Sequence, residues 1–154
     1  MSDQIEIRPA GRSHRNDITQ LLQSENLPVE DLPPILTNFF VALDKNNVIA
    51  AVGLEQYDNC GLLRSLAVNS SYRNQNIAGR LINILEKTAF DLRIDSIYLL
   101  TETAPQYFEK KGYQKIKRGE VPEILLQSSE FGYVCSTSAT VMKKQLINEV
   151  VPVS

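Results

Sequence analysis

Apolar positions along this chain switch between two spacings, and the switches mark out its elements. Ile5 and Ile7 alternate with polar neighbours ahead of Pro9, which predicts a first strand. Ser13 to Gln23 carries Ile18, Leu21 and Leu22 at helical spacing and predicts a helix. Pro28, Pro33 and Pro34 break up Leu27 to Leu36, so a short helix interrupted by turns is expected there, the kind of irregular segment that often lines a pocket. Phe39 to Leu43 and Val48 to Tyr57 flank Asp44-Lys45-Asn46-Asn47 and read as a hairpin. A third strand, Gly61 to Val68, follows Asp58-Asn59. Ile77 to Leu92 predicts an amphipathic helix with Leu81, Leu85 and Phe90 facing inward. Ser96 to Thr101 reads as a buried strand, and Ala104 to Lys111 as a helix stopped by Gly112. Tyr113 to Lys117 as a strand, Val121 to Gln127 as a helix and Tyr133 to Lys144 as a strand complete the pattern. The order is that of an α/β (α+β) chain, a mixed sheet with helices on both faces.

The chain has 154 residues, of which 43% are hydrophobic, enough for one domain with its own core. We expect a single domain over residues 1–146 and a frayed tail over 147–154. The formal net charge is -2, Lys and Arg are scattered and Trp is absent, so there is no basic footprint for nucleic acid. No run is apolar and long enough for a signal peptide or a bilayer span; a cytoplasmic protein without a membrane partner is expected. Two cysteines, Cys60 and Cys135, and one histidine give neither a disulfide framework nor a four-ligand metal site, and two reduced thiols are expected. As a buried hydrophobe in the last strand, Cys135 is a better fit than as an acyl-carrying nucleophile.

Function is expected at the junction LLRSLAV-NSSY-RNQNIAGR, where a buried strand leads through a turn and a polar loop into a helix. Loop amides at the positive end of a helix make an anion site suited to a pyrophosphate. A Walker loop would end in Lys and then Ser or Thr, but Gly79-Arg80-Leu81 stands there. A dinucleotide loop would carry three glycines, and Arg73-Asn74-Gln75-Asn76-Ile77-Ala78 has none.

That loop resembles the coenzyme A pyrophosphate loop of the GNAT acetyltransferases, whose pattern is Arg or Gln, two residues, Gly, one residue, then Gly or Ala. Arg73 and Ala78 match it, while Asn76 replaces the usual Gly and Asn74 a second common one. Asn is the non-glycine residue that best tolerates positive φ, so the turn is expected to survive. Ser96 to Thr101 followed by Ala104-Pro105-Gln106-Tyr107-Phe108-Glu109-Lys110-Lys111-Gly112-Tyr113 is similar to the family's fifth strand and closing helix. Within the family, LLRSLAV, LLTETA, the Phe108 to Tyr113 run and the tail from Val121-Pro122 through Glu130-Phe131 to Cys135-Ser136-Thr137-Ser138-Ala139 resemble acetyltransferases encoded in bacterial arsenic-resistance operons. A more distant likeness is to N-acetylglutamate synthases.

The resemblance implies a six-to-seven-stranded, mostly antiparallel sheet with a splayed central strand pair. It also implies direct attack of a small-molecule primary amine, amino-acid-like or arsenical, on acetyl-CoA. Leu66, Ala67 and Val68 would pair with the pantetheine arm, and the Val68 N–H would face the thioester oxygen. The loop of Arg73, Asn74, Gln75, Asn76, Ile77, Ala78, Gly79 and Arg80 would hold the pyrophosphate, with charge from Arg73 or Arg80. Glu55 is the candidate base, against an ordinary solvated strand-end Glu, and Glu102 is the alternate. Arg64 would bind a substrate carboxylate, pair with Glu55, or lie on an exposed face. Thr103 would contact the cofactor or cap the helix at Ala104. Phe108 occupies the place where many members carry a Tyr that protonates the leaving thiolate, and Tyr107 lies about 100 degrees round the helix, so water or another group is expected to serve. Family members commonly dimerise, and a final strand left as a sheet edge would be a route to a homodimer. A non-catalytic acyl-CoA-binding domain and a protein N-acetyltransferase are the competing readings.

Overall fold

Two residues, Lys45 and Asn46, turn the first hairpin. Both adopt positive φ, 52° and 72°, as a tight two-residue turn between right-twisted strands requires. They join β2 (Phe39–Asp44) to β3 (Asn47–Tyr57), which pair antiparallel with Asp44 opposite Asn47 and Phe39 opposite Gly53. In this computed structural model, the described residues are 5–27, 29–30, 32–128 and 139–146. β1 (Ile5–Pro9), a helical turn at Arg12–His14 and α1 (Arg15–Ser24) come before the hairpin. After it come β4 (Cys60–Val68), a helical turn at Ser70–Tyr72, α2 (Ile77–Asp91), β5 (Ser96–Thr101), α3 (Pro105–Lys110) and β6 (Gln114–Ile116). Two 3-10 turns, Arg118–Glu120 and Glu123–Gln127, then lead to β7 (Thr140–Gln145).

The seven strands form one sheet in the order β1-β2-β3-β4-β5-β7-β6. β4 and β5 run parallel, whereas the β1–β2, β2–β3, β5–β7 and β6–β7 pairs are antiparallel. The parallel pairing spans only Cys60↔Ser96 to Leu62↔Tyr98, while β4 is nine residues long.

The described residues fall into two compact units. One takes in residues up to Glu55 together with Leu63–Thr88, the other Gln56–Leu62 together with the chain from Ala89. In the first, Ile18, Leu21 and Leu22 of α1 pack with Leu32, Phe39, Val41, Leu43, Ala51 and Ala67. In the second, Cys60, Leu62, Tyr98 and Val141 pack with Val121 and Leu125.

Several expectations need correction. No helix forms among the described residues of Leu27 to Leu36. The Arg15 guanidinium instead binds the carbonyls of Leu32, Pro33 and Pro34, which the prolines leave without helical donors. Phe90 is 58% exposed, and Ala89 is the buried residue beneath Leu85. Five residues past Leu85 the helix has turned about 140° from that stripe, whereas four residues return close to it. Val121 to Gln127 is a 3-10 segment starting at Glu123, and β7 starts at Thr140. β7 lies between β5 and β6, so it is not an edge and cannot serve as the open strand of a dimer. Cys135, the earlier part of the expected last strand and the expected tail lie outside the described residues. Among those described, no helix is long and apolar enough to cross a membrane, and no three His, Cys, Asp or Glu side chains group as a metal site requires.

Candidate cofactor and acceptor site

Asn69 succeeds the last residue of β4 and organises the turn that leads to the loop. Its N–H donates to the Ile49 carbonyl at 2.8 Å, its side chain accepts from the Ser71 N–H at 2.9 Å, and its carbonyl accepts from the Tyr72 N–H at 2.8 Å. The Tyr72 hydroxyl donates to Asp44 Oδ2 at 2.6 Å, an acceptor that favours the protonated phenol and raises its pKa. The stem of the loop is thus tied to β2 and β3.

From Arg73 to Asn76 the loop is exposed, and Ile77, 2% exposed, anchors the start of α2 in the core. Asn74 and Asn76 both take left-handed backbone, with φ of 67° and 60°. These are the two positions where asparagine replaces the expected glycines, so the chain makes the same turn with the residue that best tolerates it. The first intrahelical bond runs from Arg80 N–H to the Asn76 carbonyl at 3.1 Å. Earlier amides of the first turn have no acceptor inside the helix, which is the condition for anion binding at its positive end.

The two cationic side chains expected to add charge are both engaged. Arg73 Nη2 lies 2.6 Å from Glu25 Oε1, and Arg80 Nη2 donates to the Ile5 carbonyl at 3.3 Å. Arg73 keeps a side chain 56% exposed.

On the strand leading into this loop, Ser65 adopts φ of 59°, left-handed backbone inside β4. For a non-glycine residue within a strand this is strained, and such strain gathers at functional positions. Beyond it, Ala67 is buried in the core while Leu66 and Val68 are only half-buried. Arg64, with its side chain fully buried, donates from Nη1 to Glu55 Oε2 at 2.9 Å and from Nε to Ser65 Oγ at 3.1 Å. The Glu55 side chain is 18% exposed. Of the roles open to Arg64 in the sequence, pairing with Glu55 is realised and an exposed face is not.

In the second unit, Glu102 and Thr103 are exposed just beyond β5. Thr101, not Thr103, supplies the side chain that receives the Ala104 N–H, at 3.0 Å. Phe108 is buried, with Tyr107 and Tyr113 packed edge-on at 5.4 and 5.7 Å between ring centres. Tyr107 is half-buried beneath Lys111 Nζ at 5.5 Å, and its burial raises the phenol pKa. Asp44, Glu25 and Thr101 carry no sequence signal of their roles. An Asx-type turn at Asn69-Ser70-Ser71 is the one local signal available.

The sequence profile of the acetyltransferase (GNAT) family matches residues 8–113. An amino-acid acetyltransferase of Pasteurella multocida is 25% identical over 89 residues, 56% of this chain and 20% of that protein. An uncharacterized N-acetyltransferase of Chlorobaculum tepidum is 28% identical over 96 residues, 62% of this chain and 61% of that protein. The chain therefore spans less than two thirds of the length of either relative. A crystal structure of N-acetylglutamate synthase from Neisseria gonorrhoeae, complexed with coenzyme A and N-acetyl-glutamate, aligns with a TM-score of 0.79 at 18% identity, covering 94% of this chain and 35% of that one. A GNAT-family acetyltransferase from Staphylococcus aureus Mu50 aligns with a TM-score of 0.77 at 23% identity, covering 93% of this chain and 99% of that one. The structural likenesses carry the fold, and the profile match extends over more than half the sequence: the chain belongs to the acetyltransferase (GNAT) family.

Proposed function

We propose that this protein is an acetyl-CoA-dependent N-acetyltransferase acting on the primary amine of a small, amino-acid-like molecule. The observation that carries the reading is the pair of left-handed asparagines, Asn74 and Asn76, which keep the anion-binding turn open without glycine. When bound, acetyl-CoA supplies an activated acetyl group and a thiolate leaving group.

The chain's own residues divide the remaining work. Amides from Arg73 to Gly79 hold the pyrophosphate. Leu66 to Val68 offer a strand edge to the pantetheine amides, and the Val68 N–H polarises the thioester oxygen. Glu55 accepts the ammonium proton of the acceptor, directly or through water, while Arg64 fixes the carboxylate's orientation. Arg64, its side chain fully buried against Glu55, acts on the acceptor through that carboxylate rather than by meeting the acceptor's own carboxylate. Glu102 is the second candidate base and Thr103 a cofactor contact. Protonation of the thiolate falls to water or another group, because Phe108 has no hydroxyl.

Support for an amino-acid acceptor comes from the amino-acid acetyltransferases among its relatives, the P. multocida protein included. An arsenical amino acid is the narrower form of the same reading, resting on LLRSLAV and LLTETA. A cytoplasmic location suits the use of acetyl-CoA. The test is thiol release from acetyl-CoA across a panel of amino acids, their amides and an arsenical amino acid. Release with free amino acids and loss of it when the carboxylate is amidated support the reading. No release with any amine, alongside tight cofactor binding, would favour a non-catalytic binding domain.

A further inference from the structure

The contact between Arg73 and Glu25 joins the first residue of the loop to the end of a different helix. Glu25 is the residue after α1, and its N–H bonds back to the carbonyls of Leu21, Leu22 and Gln23. Its backbone is thereby fixed, and its carboxylate stands where the carbonyl end of the helix already favours a cation. The Arg73 guanidinium is held there at 2.6 Å, although 56% of its side chain remains exposed to solvent. An arginine that can reach water is free to exchange partners, and the phosphates of a cofactor, with more negative charge than one carboxylate, offer it a competing charge-assisted partner.

We propose that Glu25 is an affinity-determining residue that competes with the cofactor's phosphates for Arg73. This rests on the reading of the loop as a coenzyme A site. In the empty protein Glu25 holds the guanidinium, and cofactor binding must draw it away from that carboxylate. Glu25 therefore weakens binding and favours release of the product coenzyme A. Because the pair is partly solvated, the effect is modest and falls with salt.

Calorimetric titration of the full chain with coenzyme A and with pantetheine tests the proposal, using the wild type, Glu25→Gln, Arg73→Gln and the double variant. Glu25→Gln is expected to bind coenzyme A about two- to fivefold more tightly, the range that an exposed ion pair supports. Pantetheine, which lacks phosphates, should bind both proteins equally. Arg73→Gln should weaken coenzyme A binding, and adding Glu25→Gln to it should restore nothing. Weaker or unchanged binding by Glu25→Gln would overturn the proposal, as would an equal gain in the Arg73→Gln background. Glu25→Ala serves as the second variant if Glu25→Gln folds poorly. Failure of the wild type to bind coenzyme A would instead remove the reading of the loop itself, and the proposal with it.

Discussion

Arg64, with no solvent-exposed side-chain surface, donates a 2.9 Å hydrogen bond to Glu55, whose carboxylate still reaches water. The asymmetry matters, because a buried guanidinium is costly without its counter-charge, while a carboxylate that touches solvent can meet an incoming ammonium group. Glu55→Ala is expected to destabilise the protein by about 3 kcal/mol, because it removes a counter-charge that the buried Arg64 guanidinium binds. Urea unfolding measures this. Glu55→Gln, which keeps an oxygen acceptor, should fold better and lose about 100-fold or more in kcat. Near-normal turnover by Glu55→Gln would pass the role of base to Glu102.

The two asparagines of the loop predict opposite responses to two small substitutions. Asn76→Gly suits φ of 60° and should leave stability within a few tenths of a kcal/mol of the wild type. Asn76→Ala should cost about 1 kcal/mol and weaken cofactor binding, since a Cβ residue with no side-chain hydrogen bonding is strained there. The same order is expected at Asn74. Chemical unfolding and coenzyme A titration of the four variants decide it.

Gly53 is opposite Phe39 in the hairpin, and a Cβ at Gly53 would stand 2.4 Å from the Phe39 ring. Phe39 is 1% exposed, so its ring has nowhere to move without displacing the core. Gly53→Ala should therefore cost about 1–3 kcal/mol, read by thermal unfolding. Phe39→Leu in the same chain should recover part of the loss, because it removes the ring that the methyl would strike.

Burial and the nearby carboxylates of Asp95 and Asp58 raise the Cys60 thiol pKa, with Lys143 pulling the other way. The folded state prefers the neutral thiol. Its stabilising share is complete below the unfolded pKa of about 8.5 and is lost as pH rises through the higher folded value. In a Cys135→Ser background, iodoacetamide should modify Cys60 more slowly than a free thiol at a pH of about 8.5. The rate should keep climbing above that pH and become ordinary in denaturant.

How much of this was legible depended on the range of each interaction. Asp44-Lys45-Asn46-Asn47 announced its hairpin because turn chemistry is local. Leu81 and Leu85 announce the inner stripe of α2 because four-residue spacing is local too, whereas Phe90 is large and apolar but stands at an angle that turns it to solvent. The Asn74 and Asn76 substitutions could be read correctly for the same reason, since positive φ is a property of one residue. Leu27 to Leu36 carries no local sign of its structure, because its carbonyls at Leu32, Pro33 and Pro34 are bound by Arg15, which lies outside it. Glu25 and Arg73 are 48 residues apart, and Asp44 and Tyr72 are 28 apart. No periodicity connects such pairs, so the partners that brace the loop emerged only from the fold.

Thermal unfolding with and without acetyl-CoA tests the central claim, that the turn from Arg73 to Gly79 is a cofactor site, most directly. At about one hundred times its dissociation constant the ligand should stabilise the protein by about 2.7 kcal/mol. For a chain of this length that raises Tm by about 5–10 °C, and Asn76→Ala should reduce the shift. An unchanged Tm at saturating acetyl-CoA would contradict the account.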